Sequence, residues 1–131
     1  MSRTLAREGV STPSRSLFHL RASRPRSGVV VLTVTGELDS ATVPQLRELL
    51  LPRLGTALRA VVVDLTGAGF VSATAFSLLI EAEILARRAG QSLRVVHTGR
   101  TQPRLLRLTK VDTVVRCYAD LDEALIGLPS A

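Results

Sequence analysis

"VVVDLTGAGFVSATAFSLLIEAEILARRAG", residues 61–90, decides the fold. Together with Arg59 and Ala60 its first residues form "RAVVVDL", a short uninterrupted apolar run of the kind that is buried on both faces of a parallel sheet. From Thr74 the apolar positions 75, 78, 79, 82, 86 and 89 recur at helical spacing, and Phe76, Ile80 and Ile84 widen the stripe. Glu81, Glu83, Arg87 and Arg88 fall on the outer side, Glu83 and Arg87 make a favourable i,i+4 pair, and Gly90 suits the position just past the helix. The segment thus reads as strand, small-residue turn, long helix. In α/β domains such junctions are where recognition and chemistry collect.

Working upstream, "VVVLTVTGEL", residues 29–38, is β-branched almost throughout and predicts a central strand. Before it, "LFHLRA" alternates, with Phe18, Leu20 and Ala22 on one face and His19 and Arg21 on the other, as in a half-buried edge strand; "RPRSG" is expected to turn the chain between the two. Thr42 with Gln45 has the spacing of a capping box, followed by a helical stripe of Val43, Leu46, Leu49, Leu50 and Leu54. Pro44 fits a first turn, whereas Pro52 lacks a donor and crowds the preceding turn, so this helix should stop or kink near Leu51. Downstream, "SLRVVH" predicts a strand, "TQPRLLRLTK" a short basic helix capped by Thr101, "TVVRCY" a strand, and "DLDEALIGL" a final helix opening with acids.

The resulting order, ββαβαβαβα, implies a single small α/β domain with a mixed, mostly parallel sheet of about five strands, four helices and right-handed crossovers. The domain is expected over residues 16–127, between a basic tail at 1–15 and a C-terminal end at 128–131. The tail has Ser, Thr, Pro and Arg without periodicity, and buries too little apolar area to offset its ordering entropy.

A net charge of +6 on 131 residues suggests nucleic-acid binding until it is divided along the chain. Residues 1–28 hold six Arg against Glu8, while residues 29–131 hold eleven basic and ten acidic groups. With three Phe, one Tyr and no Trp there is little aromatic surface for base stacking, so specific nucleic-acid recognition is not expected. Weak contact of the Arg tail with a polyanion or an acidic membrane is the residual reading. No apolar run reaches the roughly 18 residues of a membrane span, and Cys117, the one cysteine, has no internal disulfide partner. A cytoplasmic protein is expected.

Catalytic and cofactor constellations fail one after another. His19, His97 and Cys117 have no metal-ligand spacing and no orienting partner for nucleophilic catalysis. Gly67-Ala68-Gly69 invites the dinucleotide fingerprint, but Ser72 stands at the third glycine position and no acid follows about 20 residues on. A phosphate loop needs Gly-Lys-Ser/Thr, and the single Lys is Lys110. Asp39 and Asp64, both expected at C-terminal strand ends, make only a weak acid/base pair. The reading is therefore of a non-enzyme without cofactor or metal.

What remains is the 66–75 turn. Ser72 or Thr74 caps the long helix with its hydroxyl, a role worth about 1 kcal/mol. An exposed hydroxyl at that place would also be a position where phosphorylation acts strongly, because the added charge meets free N–H groups and a favourable dipole.

In these residues the chain resembles the STAS domain family, and within it the anti-sigma factor antagonists of bacteria. The resemblance rests on Gly36-Glu37-Leu38-Asp39, on Asp64-Leu65 followed by Phe70-Val71, on the long second helix, and on Asp122-Glu123-Ala124-Leu125, spanning residues 17–126. It implies a module that binds an anti-sigma factor which is also a serine kinase, thereby freeing a sigma factor. It also implies a switch in which a serine opening the second helix is phosphorylated. The family's Asp-Ser-small-Gly is replaced here by Ser72, Ala73, Thr74 and Ala75, so the phosphoacceptor position is Ala73, which has no oxygen. Three outcomes stay open: constitutive binding, substitution by Thr74 or Ser72, or a divergent scaffold with another partner; constitutive or differently regulated binding is preferred. A second departure is Lys110-Val111, where the family often has Gly-Leu.

The expected partner-binding residues are Asp39, Ser40, Ser72, Ala73, Thr74, Ala75 and Ser77. A homodimer is left open. The alternative reading is a small-ligand or nucleotide-sensing STAS-type domain with its pocket near Asp39, Asp64 and His97.

Overall fold

The long apolar strand is the axis of the molecule, and it is longer than its apolar run. In the computed structural model, which describes residues 18–97 and 114–128, strand β3 covers Ala60–Val71. Around it lie β1 (His19–Arg26), β2 (Val29–Leu38), helix α1 (Val43–Leu50) with a 3-10 turn at Leu51–Arg53, helix α2 (Ala73–Arg88), β4 (Ser92–Val96), β5 (Arg116–Tyr118) and helix α3 (Leu121–Ala124). The five strands form one sheet in the order β1-β2-β3-β4-β5, antiparallel between β1 and β2 and parallel thereafter. Three α-helices occur among the described residues rather than four; the basic helix expected at 101–110, with Thr101, lies outside them, as do the tail at 1–15 and Lys110-Val111.

Burial on both faces explains the continuous β-branched runs. One face carries Val30, Leu32, Val34, Val61, Val63, Leu65, Leu93 and Val95 under α1 and α2. The other carries Val29, Val31, Ala60, Val62 and Val96 under α3, with Ala124 and Leu125. α2 contributes Ala75, Phe76, Leu78, Leu79, Ala82 and Ala86 to the larger core, while Ile84, expected to widen the stripe, is 47% exposed and Ala89 lies past the helix on the surface. Gly90 closes α2 at φ +72, a left-handed turn that residues with a Cβ avoid.

Several expectations need correction. β1 continues through Pro25 to Arg26, leaving only Ser27-Gly28 for the turn; the ladder is irregular between Ser23 and Arg26, on an edge strand where a proline need not donate. Ala22, expected inside, is exposed on this edge. Pro52 does end α1, with Leu51–Arg53 tightening into the 3-10 turn. The stretch 66–71, read as a turn, is strand: β2 stays paired to β3 as far as Leu38 opposite Val71. The pairing steps from Thr33/Asp64 to Thr35/Gly67 and from Gly36/Ala68 to Glu37/Phe70, so β3 holds one extra residue at each place. Gly67 makes the first step possible, since a Cβ there would lie 2.6 Å from Thr35 Cγ2 and 3.1 Å from the Val34 carbonyl.

Candidate functional site

Two chain reversals meet at the carboxyl ends of β2 and β3. The Ser72 N–H donates to the Leu38 carbonyl at 2.9 Å, which sets the turn after β2 against the start of α2. In the first turn, Asp39 Oδ1 accepts from the Ala41 N–H at 2.9 Å and the Thr42 N–H at 3.1 Å, while the Asp39 carbonyl receives the Val43 N–H at 2.8 Å. The capping box expected of Thr42 and Gln45 does not form. The Thr42 hydroxyl is buried, donates to the Glu37 carbonyl at 2.7 Å and accepts the Asp39 N–H at 2.9 Å, so it holds the β2 end instead of the helix start. The Asp39 side chain closes the turn before the helix, reaching the N–H groups of Ala41 and Thr42, and only its backbone carbonyl takes a helical N–H, that of Val43.

At the start of α2, Ser72 is the N-cap residue: its Oγ accepts from the Ala75 N–H at 3.4 Å and shares a 2.8 Å hydrogen bond with Thr74 Oγ1. Ala73 follows as the first helical residue, exposed, with Thr74 and Ser77 exposed beside it. Ser40 and Ala41 are exposed on the neighbouring turn, and Asp39 and Ser72 are half-buried between them. Ala75 differs: it is 0% exposed and packs into the core, because the helical period turns it inward two residues after Ala73. It supports the surface from beneath. Phe70 is the residue that sequence reading missed, a large apolar side chain 40% exposed at the end of β3. Strict alternation cannot foresee it, since the bulge between Gly36 and Glu37 resets which residues face outward.

Burial pushes the Asp39 carboxyl up, but the N–H donors of Thr42 and Ala41 and the Thr42 hydroxyl outweigh it, and the pKa lies below its ordinary value. A carboxyl with a depressed folded-state pKa contributes stability that is present above its unfolded value, about 3.9, and lost as pH falls through the folded one. The Asp39→Asn variant should therefore melt below the parent at pH 7, and the two should converge as the pH is taken below about 4. Parallel melting curves across that range would mean that the charge on Asp39 plays no part in holding the turn.

The other candidates lie apart. Asp64 sits within β3, not at its end, and its Oδ1 is occupied locally by the Thr66 N–H at 2.9 Å and hydroxyl at 2.7 Å. His19 is exposed on β1; His97 is buried after β4, its N–H donating to the Tyr118 carbonyl at 2.8 Å; Cys117 is half-buried on β5 with its Sγ 3.5 Å from the Val115 carbonyl. Among the described residues no three His, Cys, Asp or Glu side chains converge as a metal site would require, and no helix is long and apolar enough to cross a membrane. Among the described residues, cavities of about 440 and 520 Å³ open at the amino ends of the parallel strands, and neither of these is lined by Asp39, Asp64 or His97.

Residues 22–124 match the STAS domain family over most of the chain. The protein belongs to the STAS domain family. This STAS domain is 29% identical over 104 residues to the anti-sigma-F factor antagonist RsfB of Mycobacterium tuberculosis, covering 78% of this chain and 83% of that protein. The structure of an anti-sigma factor antagonist from Mycobacterium paratuberculosis superposes with a TM-score of 0.70 at 26% identity, covering 88% of this chain and 96% of that one. SpoIIAA, an anti-sigma factor antagonist in its unphosphorylated form, shares the fold at a TM-score of 0.66 and 16% identity, over 82% and 92% of the two chains. Relatives of this STAS domain are thus named for antagonism of anti-sigma factors.

Proposed function

We propose that this STAS domain is a regulatory protein-binding module that engages an anti-sigma factor of the serine-kinase type, controls sigma-factor-dependent transcription through it, and does so without the serine phosphorylation switch. The single observation behind the last clause is Ala73: it stands exposed as the first residue of α2, the place where a phosphate would meet the unpaired helix N–H groups, and it offers only a methyl group. The docking surface consists of Ser40, Ala41, Phe70, Ala73, Thr74 and Ser77, carried on rigid elements and framed by Asp39 and Ser72. Its composition, small side chains around one aromatic, suits close approach of a partner with little desolvation cost. The names of the relatives supply the partner class.

Calorimetric titration of the full chain against kinase-type anti-sigma factors encoded in the same genome tests the reading. Saturable binding to one of them, undiminished after incubation with ATP and Mg²⁺, is the expected result. Phosphate on Thr74 or Ser72, found by mass spectrometry after that incubation, would replace the unswitched module with one that uses a substitute hydroxyl. Failure to bind any of them removes the partner assignment.

A further inference from the structure

The opposite end of the sheet carries a second concentration of chemistry that partner docking does not use. Among the described residues the cavity of about 440 Å³ there is lined by Arg59, Arg87, Arg94 and Arg116 against one carboxylate, Glu83. Glu83 is already neutralised, its Oε2 lying 2.6 Å from Arg87 Nε. Arg94 is the anomaly. It is only 8% exposed, yet its guanidinium meets neutral acceptors alone: Nη1 donates to the Ala124 carbonyl at 2.8 Å and the Ile126 carbonyl at 2.6 Å, and Nε to Ser92 Oγ at 3.2 Å. Among the described residues Nη2 has no acceptor and no carboxylate faces the charge; the Tyr118 ring, 5.6 Å away, gives only a weak cation–π contact. A buried cation without a counter-charge is costly, and hydrogen bonds to carbonyls satisfy its donors without cancelling its field.

Arg116 compounds the cost. In the β4–β5 ladder it is the direct partner of Arg94, so two like charges stand opposite each other on one face of the sheet, where such pairs destabilise. Both reach the same hydroxyl, Arg116 Nη1 at a long 3.5 Å from Ser92 Oγ. Arg59, exposed just before β3, lines the same cavity, and among the described residues its side chain makes no hydrogen bond or ion pair, its backbone alone being bonded to Gly28 and Ser92. Three arginines therefore line one cavity, two of them at the same hydroxyl, and among the described residues the carboxylate there, Glu83, is paired with Arg87. Planar forks of this kind match the oxygens of phosphate bidentately.

We infer that the cleft between Arg59, Arg94 and Arg116 at the amino ends of β3, β4 and β5 is a binding site for the phosphate group of a small phosphomonoester. The cavity is larger than a phosphate ion, and Leu93, Gly127 and Leu128 on its wall provide apolar and backbone surface for the rest of such a molecule. The site is independent of the docking surface, so its failure would leave the anti-sigma factor reading untouched.

Melting of the full chain in sodium phosphate against sodium chloride at equal ionic strength tests the inference, with a mononucleotide monophosphate as the organic arm. Matching ionic strength removes general screening. Saturable stabilisation by phosphate is expected, with tighter binding of the mononucleotide if the wall contributes. Arg116→Gln, an exposed position, should melt no lower than the parent in chloride, because a like-charge contact is removed, and should weaken phosphate binding about tenfold or more. Arg59→Gln serves as a second variant with the same expected loss of binding. Equal melting of the parent in the two salts, or a phosphate response that survives both substitutions, overturns the site.

Discussion

The Phe76→Ala variant is expected to lose about 3–5 kcal/mol of stability, the largest loss from any single truncation considered. Phe76 heads the largest side chains that are fully buried, and it is packed among the α1, α2, β2 and β3 residues of the larger core. A ring removed from that place leaves a cavity that close-packed neighbours fill only in part. Since domains of this size hold only about 5–15 kcal/mol, the variant should melt roughly 10–20 °C lower in differential scanning calorimetry, or fail to fold. The effect extends to function, because Phe76 sits in the first turn of α2, four residues after the N-cap Ser72, and anchors the helix start that carries Ala73. Partner binding should weaken together with stability. A melting temperature within a few degrees of the parent would show that α2 is not pinned to the core through this residue.

Ala73→Glu is expected to separate the two properties. A carboxylate in the first turn of a helix interacts favourably with the dipole, by about 0.3–1 kcal/mol, so the melting temperature should hold or rise slightly. Ala73 is exposed and no neighbour needs to move. If the start of α2 is the docking surface, the same carboxylate enters the interface without a counter-charge. Losing about 2–3 kcal/mol of binding energy to that desolvation weakens the anti-sigma factor complex by roughly a hundredfold, which calorimetry resolves readily. The companion Ala73→Ser variant restores an oxygen at the same place, and it should accept phosphate from a kinase-type partner where the parent does not. Undiminished binding by the Ala73→Glu variant would move the interface away from this helix start.

The contrast between Phe70 and Phe76 shows how close the two kinds of residue lie. Six positions apart, one aromatic is 40% exposed at the end of β3 and the other is fully buried in α2. Their opposite fates follow from the bulge opposite Gly36 and Glu37 and from the helical period that begins at Ala73.

Periodicity and β-branched runs determined the elements: β2 at 29–38, the long helix closed by Gly90, the strand at 92–96, and a stop near Leu51 imposed by Pro52. These are local properties, set by which side chains can share a face and by what a proline or glycine backbone allows, so they are legible one segment at a time. The place of Ala73 came from the resemblance to the STAS family and not from periodicity. Only the tertiary structure decided what depends on pairing across the sheet: the extension of β3 to Val71, the outward turn of Phe70, and the use of the Thr42 hydroxyl to hold the end of β2 instead of the helix start. The meeting of Arg94 and Arg116 belongs with them, since strand register places side chains from distant segments opposite one another, and no spacing along the chain encodes that register.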